Sequence, residues 1–205
     1  FLVSSEMEVK FYTSMKTVNV NDKNSLEIAS KVILEGGLIV YPTDTLYGIG
    51  ADARNKRAIK KINRIKRRET PISVIVWSVD VAGSWVLTTN EEFKIASAYI
   101  KKSSTVILPV KDKIVDSLIL GNDGTLGMRM PDYDFPINLC KKLGFPITTT
   151  SVNRTNNPPL GDPKHIREQF SSEIDLIVDA GIIKNRKAST IYKLLDSKFT
   201  VIRSG

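Results

Sequence analysis

The sequence predicts an α/β fold built on a mixed sheet. Three observations carry that expectation. Short aliphatic runs such as Gly37-Leu38-Ile39-Val40 and Ser73–Trp77 read as buried strands. Between them lie longer segments whose apolar residues recur at helical spacing. The connections vary in length and order and do not repeat one strand–helix–strand unit, which favours a mixed sheet over a wholly parallel one. At 205 residues the chain fits one large domain. No internal repeat, low-complexity tract or linker divides it, so residues 1–205 are expected to form a single unit.

Taken in order, residues 8–19 alternate and carry Val, Phe, Tyr and Thr, so they read as a first strand. Asn24 to Glu35 reads as a helix capped by Asn24, with Leu26, Ile28, Ala29, Val32 and Ile33 on one face and Gly36-Gly37 as its stop. The strand at 37–41 ends at Pro42, which lacks an N–H and cannot pair within a sheet. The next helix starts at Asn55, with Ala58, Ile59, Ile62 and Ile65 inward and Lys56, Lys60, Arg64 and Arg67 outward. Ser73 to Trp77 is a strand. Glu91 to Lys101 is a helix with Phe93, Ile95, Ala96 and Ile100 inward. Thr105 to Leu108 and Thr125 to Met130 are strands, Asp134 to Leu143 a helix stopped by Gly144, and Pro146 to Thr150 a strand. A polar loop covers Ser151 to Gly161, followed by a short helix from Asp162 to Phe170. Strands at Ile174–Val178, Thr190–Leu194 and Phe199–Ile202 close the chain.

The net charge of +8 is not spread evenly. From Arg54 to Arg68, nine of fifteen residues are Lys or Arg and none is acidic, so the rest of the chain sums to about −1. One basic element on a near-neutral body points to a bound anion such as a nucleotide or nucleic acid. A hydrophobic content of 41% is ordinary for a globular protein, and no run approaches the roughly 20 apolar residues that span a membrane. The opening Phe1-Leu2-Val3-Ser4-Ser5-Glu6 has no basic n-region. A cytoplasmic protein is therefore expected, with residues 1–7 a flexible or processed end. The single Cys140 excludes an internal disulfide and lies in an apolar helical pattern that reads as core. The single His165 starts an ordinary surface helix. Neither a Ser/His/Asp set nor a histidine-rich metal site can be built.

The residues that could carry chemistry sit at strand ends. Thr43, Asp44 and Thr45 follow one strand, Arg129 ends another, and Thr148–Asn153 follow a third. Ser189-Thr190 opens a strand and Arg203 closes the last. Hydroxyls and planar guanidinium forks there suit a polar ligand bearing carboxylate or phosphate. Lys66 and Arg68, two apart at the end of the basic helix, could clamp a triphosphate. Gly48-Ile49-Gly50-Ala51-Asp52-Ala53 formally satisfies a dinucleotide fingerprint, but Pro42 to Tyr47 separate it from the strand and the context is wrong. No P-loop and no G-x-S-x-G elbow is present.

In order along the chain, Tyr41-Pro42-Thr43-Asp44-Thr45-Leu46-Tyr47-Gly48-Ile49-Gly50 resembles the P-T-[ED]-T-x-Y-G-L signature of the YrdC-like proteins, and Lys66-Arg67-Arg68 their K-x-R. Gly127-Met128-Arg129-Met130-Pro131 resembles G-[VM]-R-x-P, and Ser151-Val152-Asn153 resembles S-x-N. Ser189-Thr190-Ile191 resembles S-T-[VI], and Arg203-Ser204-Gly205 resembles R-x-G. The resemblance runs from about Ser25 to Gly205. It implies a twisted, open mixed sheet flanked by helices around a basic concave pocket. It also implies threonylcarbamoyl-AMP synthase activity: L-threonine, bicarbonate and ATP giving threonylcarbamoyl-adenylate and pyrophosphate, for threonylcarbamoyladenosine in tRNA. Thr43, Arg129, Thr149 and Ser189 would meet L-threonine. Lys66, Arg68, Thr125, Ser151, Asn153 and Arg203 would meet ATP, with Mg2+ bridging phosphates. The expected partners are these substrates and a downstream threonylcarbamoyl-transferase complex, with tRNA or double-stranded RNA as a further candidate and no membrane. The chain departs from the family at two places. Glu69-Thr70-Pro71 shortens the loop after Arg68, and Arg154-Thr155 stands where a Ser-Gly pair is usual. Two alternatives stay open at this point. One is a carbamoyl-adenylate-forming domain of the same fold; the other is an RNA-binding module using the Arg54–Arg68 face.

Overall fold

The computed structural model describes residues 15–67, 69, 71–101, 104–184, 187–195 and 198–205. Ten strands form one mixed sheet. In chain order the elements are β1 (Lys16–Asn19), α1 (Ser25–Leu34), β2 (Ile39–Tyr41), β3 (Gly48–Gly50), α2 (Lys56–Lys66) and β4 (Ser73–Ile75). Then come α3 (Val79–Trp85), α4 (Asn90–Ile100), β5 (Thr105–Pro109), a 3-10 turn at Ser117–Ile119, β6 (Thr125–Arg129), α5 (Asp134–Leu143) and β7 (Thr148–Ser151). The chain ends with α6 (Pro163–Phe170), β8 (Leu176–Asp179), β9 (Ile191–Leu195) and β10 (Lys198–Arg203). Spatially the order is β1-β8-β2-β3-β7-β4-β6-β5-β9-β10. Parallel and antiparallel neighbours are interspersed, as the irregular connections predict.

Both faces of the central strands are covered. Ile39 and Tyr41 of β2 pack with α1 and α5, through Ala29, Ile33, Phe135, Leu139 and Cys140. Leu38 and Val40 point the other way, into a larger core shared with α2, α4 and α6. A strand buried on both faces reads as a continuous apolar run, which is why 37–41 is legible as a strand. On α2, Ile59, Ile62 and Ile65 are essentially inaccessible, each contributing roughly 1.5–3 kcal/mol by burial. The opposite face, with Lys56, Arg57, Lys60, Arg64 and Arg67, is exposed.

Several expectations are corrected. Asn24 precedes α1 but makes no side-chain cap; it sits in a turn whose N–H groups use Asp22 and Asn19 oxygens. Asn55 does cap α2, accepting from the Arg57 and Ala58 N–H groups. Ile95 faces solvent rather than the core, while Ala96 and Ile100 are buried. Thr190 precedes β9. The early part of the first predicted strand, residues 8–14, lies outside the described residues. Two elements were not expected: α3, and β3. The strand does end at Pro42 as read, but β3 follows at once as its antiparallel partner. The chain turns back after Pro42–Tyr47, so that Tyr41 pairs antiparallel with Gly48 and Ile39 with Gly50. A Cβ on Gly50 would stand 2.6 Å from the Tyr41 ring. The glycines therefore make room for a core tyrosine across the hairpin.

Candidate active site

The sheet register brings distant segments into one row. Arg203 of β10 lies opposite Ile191, Ile191 opposite Thr105, and Thr105 opposite Arg129. On the other side Gly48 faces Ser151 and Ser73 faces Thr149. These strand ends, with the Pro42–Tyr47 hairpin loop, line a solvent-open cleft with an interior volume of about 160 Å3. Its walls include Thr43, Arg129, Thr149, Ser151, Ser189 and Arg203. Among the described residues the lining holds no Asp, Glu, His or Cys.

Each polar group is set by identifiable contacts. Thr43 Oγ1 donates to Leu46 O at 2.6 Å and accepts from the Thr45 and Leu46 N–H groups, closing the hairpin loop. Its hydroxyl thus builds the wall it belongs to. Tyr47 Oη accepts from Ala180 N–H and donates to Gly181 O at 2.8 Å, tying the loop to the end of β8. Burial pushes its phenol up to about 12, so it stays a neutral donor. Ser189 Oγ lies 2.9 Å from Thr105 Oγ1, and Arg203 Nη2 donates to Ser189 O at 2.9 Å.

Two buried cations flank this cleft. Arg129 is 5% exposed and forms an ion pair with Asp44. Burial lowers its pKa, and the Asp44 carboxylate works against that loss. Among the described residues Arg129 Nε has no hydrogen-bond partner, although a buried guanidinium nitrogen normally finds one. Lys66, the last residue of α2, is 3% exposed. Its ammonium donates to Ser151 O at 2.8 Å and to Asn153 Oδ1, and Ser151 Oγ donates to the same amide oxygen at 2.7 Å. The K-x-R and S-x-N segments, 85 residues apart, are therefore one cluster.

Of the ten residues singled out from the sequence, six line the cleft. Lys66 and Asn153 join them through Ser151. Thr125 does not line it. It lies four residues before Arg129 in β6, roughly 13 Å away at strand rise, with its hydroxyl on Asp123. Arg68 lies outside the described residues. Sequence reasoning did not single out Tyr47, Ser73 or Thr105 as lining residues. Cys140 is buried in the core as read, and its thiol is pushed up to about 12 by burial. His165 is exposed.

Comparison with known proteins bears on this arrangement. The model of the Sua5/YciO/YrdC family, described as Telomere recombination, matches residues 31–205. A Methanocaldococcus jannaschii protein, provisionally named as a threonylcarbamoyl-AMP synthase, is 34% identical over 186 residues, which is 89% of this chain and 86% of that protein. The threonylcarbamoyl-AMP synthase of Pyrococcus abyssi is 28% identical over 197 residues, 92% of this chain but 58% of that protein. The chain thus spans little more than half of the Pyrococcus relative and most of the Methanocaldococcus one. The crystal structure of Pyrococcus abyssi Sua5 complexed with L-threonine superposes with a TM-score of 0.82 at 27% identity, covering 93% of this chain and 57% of that one. Escherichia coli YciO superposes equally well, at 25% identity and 94% coverage of both chains. With the family match covering most of its length and the fold and strand-end motifs in agreement, the chain belongs to the Sua5/YciO/YrdC family.

Proposed function

We propose that the chain is a threonylcarbamoyl-AMP synthase, an AMP-transferring enzyme contained in one catalytic domain. The observation that carries this reading is a hydroxyl-lined cleft with one buried cation, Arg129, on its wall and a second, Lys66, bonded to the lining residue Ser151. Arg129 offers a rigid planar fork, with an Nε that lacks a protein acceptor among the described residues, and such a fork suits a carboxylate. Lys66 offers a compact charge suited to phosphate. The names of the relatives, and a relative's crystal structure with L-threonine, support the same assignment.

In this reading Arg129 holds the threonine carboxylate, with Thr43, Thr149 and Ser189 around the amino acid. The neutral threonine amine attacks the bicarbonate carbon, a C–O bond breaks and water leaves with the amine proton, giving N-carboxythreonine. One of the new carboxylate oxygens then attacks the α-phosphorus of ATP and pyrophosphate departs. Lys66, Ser151 and Asn153 hold the phosphate side, with Arg203 on the nucleotide; Arg68 belongs to this set by motif position. Thr125 would reach the nucleotide only at the far end of β6. The lining supplies donors and positive charge, so these residues act by orienting two substrates and neutralising charge that develops in the transition state. A magnesium ion brought in with ATP would supply further positive charge on the phosphate side; among the described residues the lining carries no carboxylate to hold it, and Asp44 beside it pairs with Arg129. The exposed cations of α2 offer a face for tRNA, and the product would pass to a threonylcarbamoyl-transferase complex in the cytoplasm. Among the described residues no helix is long and apolar enough to cross a membrane.

The deciding experiment measures pyrophosphate release from ATP with threonine and bicarbonate omitted in turn. Release that needs both is expected. Release that is indifferent to threonine would overturn the reading.

A further inference from the structure

The loop after β7 does more than present Ser151 and Asn153. The last carbonyls of a helix have no partner within it. Here two of them are taken by successive loop residues. Arg154 Nη1 donates to Ile65 O at 2.9 Å. Thr155 donates to Lys66 O through its N–H at 3.2 Å and its hydroxyl at 2.6 Å. Arg154 is braced in turn. Nη1 also donates to Glu173 Oε1 at 3.0 Å, Nη2 pairs with Glu173 Oε2, and the guanidinium carbon lies 4.9 Å from the centre of the Phe170 ring. Phe170 is fully buried at the end of α6. The loop itself is closed by Asn157 N–H donating to Arg154 O at 3.0 Å, with Asn156 at φ +70°.

The consequence is a ring of contacts around Lys66. Its carbonyl is held by Thr155 and the preceding carbonyl, that of Ile65, by Arg154, while its ammonium holds residues 151 and 153. Moving either segment moves the other.

We propose that Arg154 is a positioning residue for Lys66: by capping α2 and bracing on Glu173 and Phe170, it fixes where the Lys66 ammonium stands at the phosphate end of the cleft. Its kinetic consequence rests on the synthase reading; its geometric consequence does not. Arginine suits the task because its fork can satisfy a carboxylate and still spare a donor for a carbonyl, which an ammonium on a flexible stem does less well. The pair is only partly buried, at 24% and 31% side-chain exposure, so its contribution to global stability is small.

The test uses the full chain with Arg154→Gln, Arg154→Lys and Lys66→Ala, alone and combined. The ammonium signal of Lys66 is followed in lysine-labelled protein by heteronuclear NMR, assigned by its loss in Lys66→Ala. Arg154→Gln is expected to shift or broaden that signal. It should also raise the KM for ATP about ten- to a hundredfold, the scale of a small misplacement of a binding group, with the KM for threonine within about twofold. Arg154→Lys should recover part of the loss. In the Lys66→Ala background Arg154→Gln should add less than about twofold, because the two act through one group. An unmoved Lys66 signal would overturn the proposal. So would equal rises in both KM values, or a full additional loss in the Lys66→Ala background. If the wild type makes no threonine-dependent pyrophosphate, the synthase reading falls, and the Lys66 signal alone still decides the role of Arg154.

Discussion

The two ends of β6 each carry an ion pair, and they differ in nearly every physical respect. At one end Arg129 is buried against Asp44, with exposures of 6% and 13% for the two side chains. At the other, Lys193 meets Asp123 at 2.7 Å with Asp123 half exposed. The exposed pair is fully used locally: Asp123 also accepts from Thr125, and these bonds, that from Lys193 foremost, hold its carboxyl down to about 2. The buried pair retains an Nε without an acceptor among the described residues, on the wall of a cleft. A surface pair contributes little and can be spared, whereas a buried cation is costly and persists where something else is gained. The difference separates the end of β6 that the synthase reading gives to a ligand from the end whose charge is used within the sheet.

The largest break in that comparison should come from Arg129→Ala. It leaves the Asp44 carboxylate without its guanidinium partner in a poorly solvated place, so we expect a loss of about 3 kcal/mol in unfolding free energy. Threonine-dependent turnover should fall at least about a thousandfold if Arg129 holds the threonine carboxylate as proposed. Chemical denaturation and the pyrophosphate assay check both. Unchanged stability would show that the buried pair is no more consequential than the exposed one. Arg129→Lys keeps the charge but loses the fork, and should retain most of the stability while raising the KM for threonine.

Lys66→Ala comes next. It removes the charge that the synthase reading gives to the phosphates, and we expect turnover to fall about a hundredfold or more, with ATP rather than threonine affinity weakened. The fold should survive with a loss of about 1–3 kcal/mol, because Ser151 O and Asn153 Oδ1 lose their shared donor. Wild-type rates in this variant would remove Lys66 from the site.

The contrast between these residues also explains what was legible in the sequence. Helix α2 was readable to its cap because Asn55 and the four-residue apolar stripe act locally. The Lys66 cluster was readable only as motifs, since 85 residues separate Lys66 from Ser151 and no local rule joins them. The hairpin after Pro42 was missed because its partner strand, Gly48–Gly50, has two glycines and a single apolar residue, which gives no alternation to detect. Thr105 and Ser73 join the cleft solely through sheet register, which a single sequence does not encode locally. Arg154 was noticed as a departure, but its role depends on Glu173 and Phe170, brought near by α6.

Smaller effects should follow from the outer face of α2. The double change Lys60→Glu, Arg64→Glu alters exposed positions away from the cleft lining. Stability should move by less than about 1 kcal/mol and turnover with small substrates by less than about twofold. Binding to tRNA, read by filter retention at several salt concentrations, should weaken and lose part of its salt slope. Retention of tRNA binding with an unchanged slope would remove this face from any RNA contact.

The smallest effect belongs to the exposed end of β6, and its sign can be worked out. The carboxyl of Asp123 sits near 2 when folded, below its ordinary value of 3.8. A depressed carboxylate contributes stability that is present above the unfolded value and lost as pH falls through the folded one. The contribution of Asp123 should therefore be complete above about pH 4 and gone near pH 2. Because the side chain is half exposed, solvent and salt screen the pair, and the full contribution should stay below about 1 kcal/mol. Asp123→Asn should lower the denaturation midpoint slightly at pH 6. Its curve should converge with that of the wild type as pH approaches 2, and the gap at pH 6 should shrink in high salt. A gap as large as that of Arg129→Ala, or one that persists at pH 2, would mean that the Thr125 end carries more than a surface ion pair. The division of β6 into a ligand end and a sheet end would then have to be redrawn, with Thr125 back among the nucleotide contacts.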